Sequence, residues 1–418
     1  MMKFNPFVPN GIVSPGMFTG RYDELVTAEQ ALYQTKNGNP QHFIFEGERG
    51  IGKSSLAYYV EIVAKGKIDG ITGNKYNFLN VSIDLAGVDS KIGIIRQIGR
   101  ELKRKLSEQP DTKQYAKRAW DFIKDWEVLG VKYNAKSEQF DEDDLQAQLV
   151  DLFISVVEEY GDKIDGIFIL IDEADSPSAG AGLGEFLKVF TERLMRRGCN
   201  SVLIGLAGLP SLVTKLRESH ESSPRLFQII NVSTLSHDER LNVISSGLDS
   251  ANKKNPAPTL IEDEAAEMIA NLSEGYPHFL QQFSYFAFQV SENNLITKDD
   301  VKRGAYMENG ALSQLGDKYF SEMYHAKIWS EEYRKVLKYM ASHGDAWLSR
   351  REILKDCDIS ASNINNALAA LKLREIIIQD ASRRGYYRLP TKSFAAWISA
   401  IGNKEENIDS EFETDLSL

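Results

Sequence analysis

The sequence predicts an α/β domain with a mostly parallel sheet, followed by a small helical domain and a winged-helix module. In the first 235 residues, short apolar runs typical of strands buried on both faces alternate with helical patterns. From Ser236 onward the strand signals stop and helical patterns follow one another. Beyond Lys327 the order becomes three helices, a strand, a turn and a strand. The predicted domains therefore span residues 1–235, 236–326 and 327–404, with an acidic tail at 405–418.

The elements of the first domain follow from apolar periodicity and from the turn residues between apolar runs. The predicted strands cover residues 42–45, 78–85, 166–171 and 201–206. The predicted helices cover residues 55–65, 92–106, 144–160 and 186–197. The stretch 107–144 is polar and irregular, with a short hairpin predicted at 126–131.

In the second domain, Ser236 to Glu239 forms a capping-box pattern that opens a helix, and two more helices are predicted at 262–273 and 279–290. The last module has predicted helices at 331–342, 349–357 and 360–372, then strands at 375–379 and 386–389 around a turn at 383–385. Within its third helix an apolar face recurs at Ile364, Ala367, Leu368 and Leu371. This face is expected to be buried.

Charge and cysteine content exclude several classes of protein to which this chain could otherwise belong. The chain has 418 residues, 42% of them hydrophobic, and a formal net charge of −11, which argues against a protein coated in nucleic acid over its whole surface. Residues 327–404 nevertheless hold 14 Lys and Arg against 8 Asp and Glu, whereas the tail 405–418 holds six acids and no bases. Cys199 and Cys357 lie too far apart to form a disulfide framework or a zinc motif. We expect a cytoplasmic protein without a secretion signal or a membrane span.

One glycine-rich motif predicts a nucleotide site. The segment from Gly47 to Ser54 fits G-x-x-x-x-G-K-[ST] and lies between a predicted strand and a predicted helix, the context that this motif requires. Its glycines allow backbone N–H groups to face phosphates, Lys53 is expected to reach the β- and γ-phosphates, and Ser54 is expected to bind Mg²⁺. The nucleotide-binding residues predicted here are Gly47, Glu48, Arg49, Gly50, Ile51, Gly52, Lys53, Ser54 and Ser55.

A second motif completes this predicted site. Residues 167–171 form an apolar run that ends in Asp172 and Glu173, two carboxylates at the end of a strand where open α/β sheets bind ligands. Asp172 is expected to hold Mg²⁺, and Glu173 is expected to polarise the water that attacks the γ-phosphate. An acidic strand end alone is common, but its combination with the upstream phosphate loop is specific.

These motifs, together with Asn5-Pro6-Phe7, the segment from Phe18 to Leu25 and the acidic run from Asp172 to Asp175, resemble the AAA+ ATPases of the origin-recognition type. The resemblance covers nearly the whole chain. It implies an α/β P-loop NTPase (AAA+) domain with a parallel sheet, a helical lid and a C-terminal winged-helix domain. It also implies ATP and Mg²⁺ as ligands, adenine contacts between Pro9 and Phe18, and Gly20-Arg21 at the start of the first helix.

The chain departs from that family at the first sensor, where relatives carry a polar residue on the fourth sheet strand. Gly205, Ala207 and Gly208 stand there, and Ser211 follows as a substitute. The resemblance also makes Arg225 a candidate for an arginine that acts on a neighbouring subunit's nucleotide, with Arg217 as the second choice. Gly275-Tyr-Pro277-His278 is similar to the G-x-P segment of STAND-type signalling ATPases, so Pro277 and His278 are candidate nucleotide contacts.

The winged helix is a candidate site for duplex DNA. Asn363 and Asn366 on its third helix could contact adenine, and Arg383 and Arg384 lie at the predicted wing tip. The basic surface is extended by Arg350, Arg351 and Lys372. The exposed face of the third helix is small and polar, however, and winged helices also serve as packing modules.

Three functional hypotheses follow. The first is an ATP-hydrolysing switch that acts on DNA in replication, transposition or antiphage defence, working as a homo-oligomer. The second is a STAND-like switch in which the winged helix clamps the nucleotide domain and the output is a partner protein. The third is a scaffold that binds ATP without hydrolysing it.

Overall fold

The computed structural model describes residues 3–12, 18, 20–108, 142–328, 330–357, 359–380 and 382–400. The chain divides into two compact units: a sheet unit, Ile12–Ser233, and a helical unit made of Met1–Gly11 and Thr234–Leu418. The predicted boundaries of the lid, the winged helix and the tail stay predictions. The hairpin predicted at 126–131 and the tail at 405–418 lie outside the described residues.

The sheet unit is built on five parallel strands in the order β2-β3-β4-β1-β5. The strands are β1 (His42–Glu46), β2 (Phe78–Asp84), β3 (Gly166–Asp172), β4 (Val202–Gly208) and β5 (Phe227–Asn231). The first four confirm the predicted strands. The fifth was not predicted, because its exposed Gln228, Ile229 and Asn231 break the apolar run that marks a buried strand.

Strand burial explains why the central strands read as continuous apolar runs. β4 is buried along its whole length, and β3 is buried up to Asp172. Gly205 in β4 leaves room for aromatic rings from the strands on either side: an added Cβ would lie 2.7 Å from the Phe43 ring and 3.1 Å from the Phe168 ring. A glycine that weakens a strand in isolation therefore permits close packing at the centre of this sheet.

Helices cover both sides of the sheet in sequence with the strands. They are α1 (Tyr22–Lys36), α2 (Lys53–Ala64), α3 (Lys91–Glu108), α4 (Glu142–Tyr160), α5 (Leu183–Arg196) and α6 (Ser211–Ser219). The buried apolar residues of α3 to α6 join those of the strands in one core, as in the side of α3 that carries Ile94, Ile98 and Leu102. The sequence predicted α2 to α5, the family resemblance predicted α1, and neither predicted the short α6.

The helical unit begins with helices that include the predicted capping box. Ser236 accepts from the Glu239 N–H, and the Glu239 side chain accepts from the Ser236 N–H. The helices are α7 (His237–Asn252), α8 (Asp263–Ser273), α9 (Pro277–Val290), α10 (Lys298–Tyr306) and α11 (Ala311–Leu315). The expectation that strands stop at Ser236 is wrong: β6 (Leu260–Ile261) pairs in parallel with β7 (Leu295–Ile296). Two residues per strand are too few to show any periodicity.

The C-terminal part of this unit has the element order predicted for a winged helix, with one added strand. Its elements are α12 (Glu331–Ser342), β8 (Leu348–Ser349), α13 (Arg350–Asp356), α14 (Ala361–Leu373), β9 (Ile378–Gln379), β10 (Tyr386–Arg388) and a helix at 392–400, here α15. The three strands form an antiparallel sheet in the order β8-β10-β9. The apolar face predicted on α14 is buried as expected.

The strand predicted at 375–379 is shorter in the structure because the end of α14 uses its first residues. Glu375 has φ 59°, and the Ile376 N–H donates to the Leu371 carbonyl at 2.9 Å. Such a helix ending satisfies the last carbonyls of α14 and leaves only Ile378 and Gln379 to pair with β10.

Helix α15 packs against the segment from Gly316 to Ala326, which winds as π-helix. The Tyr324 and Trp397 rings meet edge to face at 5.5 Å, and the Phe320 and Phe394 rings lie 5.2 Å apart. An added Cβ at Gly316 would lie 1.9 Å from the Trp397 indole nitrogen. The predicted lid and the predicted winged helix thus share one hydrophobic core. Among the described helices, none has the length and apolar character needed to cross a bilayer.

Candidate functional site

The glycine-rich segment forms a tight loop between β1 and α2. Gly50 and Gly52 have φ of 78° and 94°, a region that residues with a Cβ rarely adopt. At Gly47 an added Cβ would lie 2.6 Å from the Val232 carbonyl oxygen. The fold therefore requires glycine at all three positions, and the motif's glycines have a physical role here beyond the sequence match.

Lys53, the first residue of α2, folds back over this loop. Its Nζ donates to the carbonyl oxygens of Gly47 and Glu48, both at 2.8 Å. Burial lowers the pKa of Lys53, and the nearby carboxylates of Asp175, Asp172 and Glu173 oppose that change, Asp175 most strongly. The loop from β1 and the acidic end of β3 are therefore neighbours, as the two motifs predicted.

The remaining loop residues lead into α2. Ser54 and Ser55 lie in the first turn of α2, whose N-cap residue, Gly52, has no side chain to cap the helix. The loop is also held from behind, because buried Arg21 donates to the Ile51 carbonyl at 3.1 Å. Arg21 begins α1 with φ 63°, which agrees with the expectation that Gly20-Arg21 opens the first helix.

The acidic pair at the end of β3 has an unusual backbone. The Asp172 Oδ1 accepts from the Glu173 N–H at 2.9 Å, and Glu173 adopts φ 47°. A left-handed conformation at a residue other than glycine costs on the order of 1–2 kcal/mol. The pKa of Glu173 is raised by burial and by the carboxylates of Asp84, Asp172 and Asp175, against the opposing charge of Arg49.

Asp84 belongs to this cluster and was missed by the sequence analysis. It ends β2 and pairs in register with Asp172, so the parallel strands β2 and β3 present carboxylates side by side. The signal was available: the strand predicted at 78–85 has an aspartate next to its last residue, and the strand predicted at 166–171 is followed by one. No group of three or more His, Cys, Asp or Glu side chains among the described residues is placed to hold a metal ion by itself.

The end of β4 carries no polar side chain, as the sequence indicated, but the Asp175 carboxylate from the turn after β3 lies against it. The Asp175 Oδ1 accepts from the Leu209 N–H at 2.9 Å and would lie 2.9 Å from a Cβ added at Gly208. Asp175 therefore occupies the space that a side chain at position 208 would fill. Ser211, the proposed substitute, lies exposed at the start of α6.

The arginine candidates lie at the far end of α6. Arg217 is exposed on that helix, and Arg225 is exposed in the short 3-10 helix Ser223–Leu226. This turn is anchored from below, because the buried Ser223 hydroxyl donates to the Leu216 carbonyl at 2.8 Å. Arg225 thus projects from a fixed turn immediately before β5.

Pro277 and His278 belong to the helical unit, where Pro277 begins α9. The pKa of His278 is lowered to about 4, chiefly by burial and also by Lys318, while a hydrogen bond to the backbone of Pro9 opposes the shift. The His278 Nδ1 is buried and has no hydrogen-bond partner among the described residues. At neutral pH this imidazole is uncharged.

Residues preceding Ile12 hold the N-terminus on the helical unit. Phe7 is a core residue that faces Gly247, where an added Cβ would lie 2.5 Å from the Phe7 ring. The Val8 N–H donates to the Gln281 Oε1 at 2.8 Å. Phe18 lies in the sheet unit with its ring 5.2 Å from that of Tyr59. Of the residues expected to flank adenine, 13–17 lie outside the described residues.

Three of the predicted DNA contacts already bind neighbouring side chains in the C-terminal part. The Arg350 Nε donates to the Asn365 Oδ1 at 2.7 Å, and the Asn363 Nδ2 donates to the Glu332 Oε1 at 2.6 Å. Arg383 forms an ion pair of 2.6 Å with Asp380. The other four side chains are exposed: Arg351, Asn366, Lys372 and Arg384.

Aromatic rings lie among the wing arginines, a feature that the sequence analysis missed. The Arg383 guanidinium lies 4.7 Å from the centre of the Tyr386 ring, and the Arg388 guanidinium lies 5.1 Å from that of Trp347. Arg383 and Tyr386 are only three residues apart, whereas Trp347 precedes β8 and is distant in sequence from Arg388 on β10. The pairing of β8 with β10 brings Trp347 and Arg388 together.

No protein-family model matches the chain. It is 24% identical over 315 residues to an uncharacterized HTH-type transcriptional regulator of Methanocaldococcus jannaschii, covering 72% of this chain and 71% of that protein. The ORC2 protein of Aeropyrum pernix, in its ADPNP-ADP complexes, is 14% identical and superposes with a TM-score of 0.57 over 100% of this chain and 99% of that one. Cdc6p of Pyrobaculum aerophilum is 13% identical, with a TM-score of 0.49 over 96% and 98% of the two chains. The five-stranded parallel sheet and the likeness to ORC2 show that this chain has an α/β P-loop NTPase fold similar to that of ORC2.

Proposed function

We propose that the protein is an ATP-binding and ATP-hydrolysing AAA+ switch that acts with DNA. The observation that carries the proposal is the meeting of two distant motifs: the Lys53 ammonium from the loop after β1 lies in the field of Asp172, Glu173 and Asp175 from the end of β3. Such an arrangement of a phosphate loop and acidic strand end is what phosphoryl transfer requires.

The loop supplies the phosphate-binding groups. Backbone N–H groups between Gly47 and Ser55 face the phosphates at the positive end of α2, and Lys53 exchanges its two carbonyl partners for the β- and γ-phosphates. The donor set also fits magnesium, because the Ser54 hydroxyl and the Asp172 carboxylate are hard oxygen ligands next to the phosphate loop. When bound, Mg²⁺ neutralises phosphate charge.

Hydrolysis then depends on Glu173. Its carboxylate accepts a proton from the attacking water, and burial together with the surrounding carboxylates raises its pKa, which makes it a better base than an isolated glutamate. Arg225 projects from its fixed turn toward the nucleotide of a neighbouring subunit in a homo-oligomer. Pro277 and His278, at the start of α9, stay candidate nucleotide contacts of the proposed lid.

The DNA partner is supported by the C-terminal part of the chain. The balance of 14 basic to 8 acidic residues at 327–404 and the exposed Arg351, Lys372 and Arg384 provide groups that bind phosphates. The Methanocaldococcus jannaschii relative carries a name that describes it as an HTH-type transcriptional regulator, which supports the same assignment. We propose this activity without choosing among replication, transposition and antiphage defence.

The experiment that tests the proposal measures binding of a fluorescent ATP analogue and release of phosphate by the full chain. Lys53→Ala should weaken binding at least 100-fold and abolish turnover, because it removes the cation that faces the phosphates. Lys65→Ala is the matched control: Lys65 follows α2 and forms an ion pair with Glu61 of the same helix, so both activities should be unchanged. Equal nucleotide affinity in wild type and Lys53→Ala would refute the proposal.

The second candidate is a STAND-like switch in which the C-terminal part clamps the protein and signals to a partner protein. A specific contact favours it: the turn that precedes Pro277 is bonded to α15, because the Glu274 carboxylate accepts from the Lys392 N–H at 2.7 Å and Ser393 donates to the Leu272 carbonyl. This candidate predicts oligomers that form with ATP in the absence of DNA. Light scattering with ATP, with ADP and with added duplex DNA separates the two candidates.

A further inference from the structure

We propose that Lys215 is a positioning residue for hydrolysis: it holds the turn after β3 and thereby keeps Glu173 in its left-handed conformation. The inference rests on the proposed ATPase function and adds to it a residue that no sequence motif contains. Lys215 lies in the middle of α6, and its Nζ donates to the carbonyl oxygens of Asp175 and, at 3.3 Å, Pro177.

Glu173 has a backbone conformation that its neighbours must hold in place. Its φ of 47° is unfavourable for a residue with a side chain, and such conformations persist only where surrounding contacts fix them. The carboxylate direction depends on this backbone. If the turn relaxed to an ordinary conformation, the side chain would leave the position opposite Lys53 and Arg49.

Contacts that fix the turn follow Glu173 directly. The Ala174 N–H donates to the Ala207 carbonyl at 3.0 Å, the Asp175 carboxylate accepts from Leu209, and the Ser176 N–H closes the turn onto the Glu173 carbonyl at 2.9 Å. The first two bonds tie the turn to the end of β4. The carbonyl groups of Asp175 and Pro177 accept from Lys215 on α6, which ties the same turn to a second element.

Lysine suits this place because its ammonium group has several donors on a flexible stem and can bind two carbonyls at once. The end of β4 offers no alternative, since Gly205, Ala207 and Gly208 have no polar side chain. Lys215 on α6 therefore places a cation against the turn after β3. In the AAA+ ATPases that the sequence resembles, a polar residue on the fourth strand occupies this region, and β4 has none here. The same helix ends beside the anchored turn that carries Arg225.

The test compares Lys215→Met, which keeps the stem and removes the donors, with Lys215→Arg, which restores two donors. In the full chain, Lys215→Met should lower kcat for ATP 10-fold to 100-fold and leave KM and the affinity for a fluorescent ATP analogue within 2-fold. Lys215→Arg should recover most of the rate. Lys188→Met is the matched control, because Lys188 on α5 pairs only with Glu192 of the same helix among the described residues. Lys215→Gln, with one amide donor pair, provides an intermediate variant if Lys215→Met does not fold.

A double-mutant cycle identifies the route of the effect. In the Glu173→Gln background, single-turnover hydrolysis should be unaffected by Lys215→Met, because the side chain that Lys215 positions is already inactive. A loss of the same size in both backgrounds, or a kcat of Lys215→Met within 2-fold of wild type, overturns the inference. Failure of the underlying function looks different: wild type itself would then show no turnover that depends on Lys53.

Discussion

The phosphate loop of the sheet unit and the C-terminal part of the helical unit were both predicted as binding sites, and the structure arranges them in opposite ways. In the loop, the proposed phosphate-binding groups are mostly backbone N–H groups: three glycines permit the shape of the loop, and Arg21 donates to the Ile51 carbonyl. In the C-terminal part, the proposed DNA contacts are long side chains, and several of these already bind other side chains. A site made of backbone is prepared by folding, whereas a site made of arginine side chains must exchange internal partners for phosphate.

The largest expected effect is a loss of ATP turnover at the proposed nucleotide site of the sheet unit. Glu173→Gln removes the base but keeps the shape of the side chain, so we expect turnover to fall by about 10²–10⁴-fold. Nucleotide affinity should stay within a few-fold of wild type, since phosphate binding belongs to the loop and Lys53. Steady-state phosphate release and titration with a fluorescent ATP analogue measure the two quantities. Parallel losses of affinity and turnover would show that nucleotide binding by the phosphate loop depends on the carboxylates at the end of β3.

The second prediction concerns the exchange of partners in the C-terminal part. Replacing exposed Arg351 and Arg384 together by glutamate should weaken binding to a short duplex at least 10-fold at low salt. The slope of log affinity against log salt should become shallower by about 1.8, since each phosphate contact contributes about 0.9. The same reversal of Arg350 and Arg383 should cost less, because these side chains give up Asn365 and Asp380 to reach a phosphate.

Lys298→Glu is the control for this measurement, because Lys298 lies on α10 and pairs with Glu264. If both pairs of arginines contribute equally to duplex affinity, the internal hydrogen bonds of Arg350 and Arg383 do not weaken their binding to phosphate, and the contrast between the two sites disappears. If neither double variant changes duplex affinity, the proposed DNA binding is wrong, and the STAND-like switch becomes the better candidate.

The same contrast explains what the sequence could predict. The phosphate loop and the end of β3 are contiguous motifs, so the order of residues alone was enough to propose roles for Lys53, Asp172 and Glu173. Their neighbours Asp84 and Lys215 come from β2 and α6, and only the strand register and the packing of the sheet bring them close. Buried strands were found from their apolar runs, but the exposed edge strand β5 and the two-residue strands had no periodicity to detect.

In the C-terminal part, composition correctly indicated a basic segment but could not show which charges are engaged. Arg383 and Asp380 are three residues apart, a spacing that is compatible with pairing or with separation. The wing hairpin decides: Asp380 accepts from the backbone and hydroxyl of Ser382 and from Arg383, which lowers the pKa of its carboxyl. The contact between Trp347 and Arg388 likewise depends on the strand pairing that joins two segments of the module.

The smallest expected effect is on stability, and it tests the contact between Glu274 and α15 within the helical unit. Burial raises the pKa of Glu274 to about 7, against the opposing hydrogen bonds from the backbone of α15. The folded protein therefore keeps the proton between about pH 4.5, the ordinary value, and pH 7, where the unfolded chain has lost it. The stability that Glu274 contributes is complete below about pH 4.5 and is lost as the pH rises through 7.

Glu274→Gln should abolish this dependence, since the amide oxygen still accepts from Lys392 and carries no charge to desolvate. The shift in pKa sets an upper limit of about 3 kcal/mol, and partial exposure to solvent reduces it to about 1–2 kcal/mol. At pH 8 the variant should melt a few degrees higher than wild type, whereas at pH 4.5 the two should coincide. Glu308→Gln, at an exposed position of the same unit, should show no difference at either pH. A Glu274→Gln variant that is less stable than wild type at pH 8 would contradict this prediction. It would mean that the charged carboxylate strengthens the contact with α15, so that charge stabilises this contact as it does the ion pair of Arg383 with Asp380.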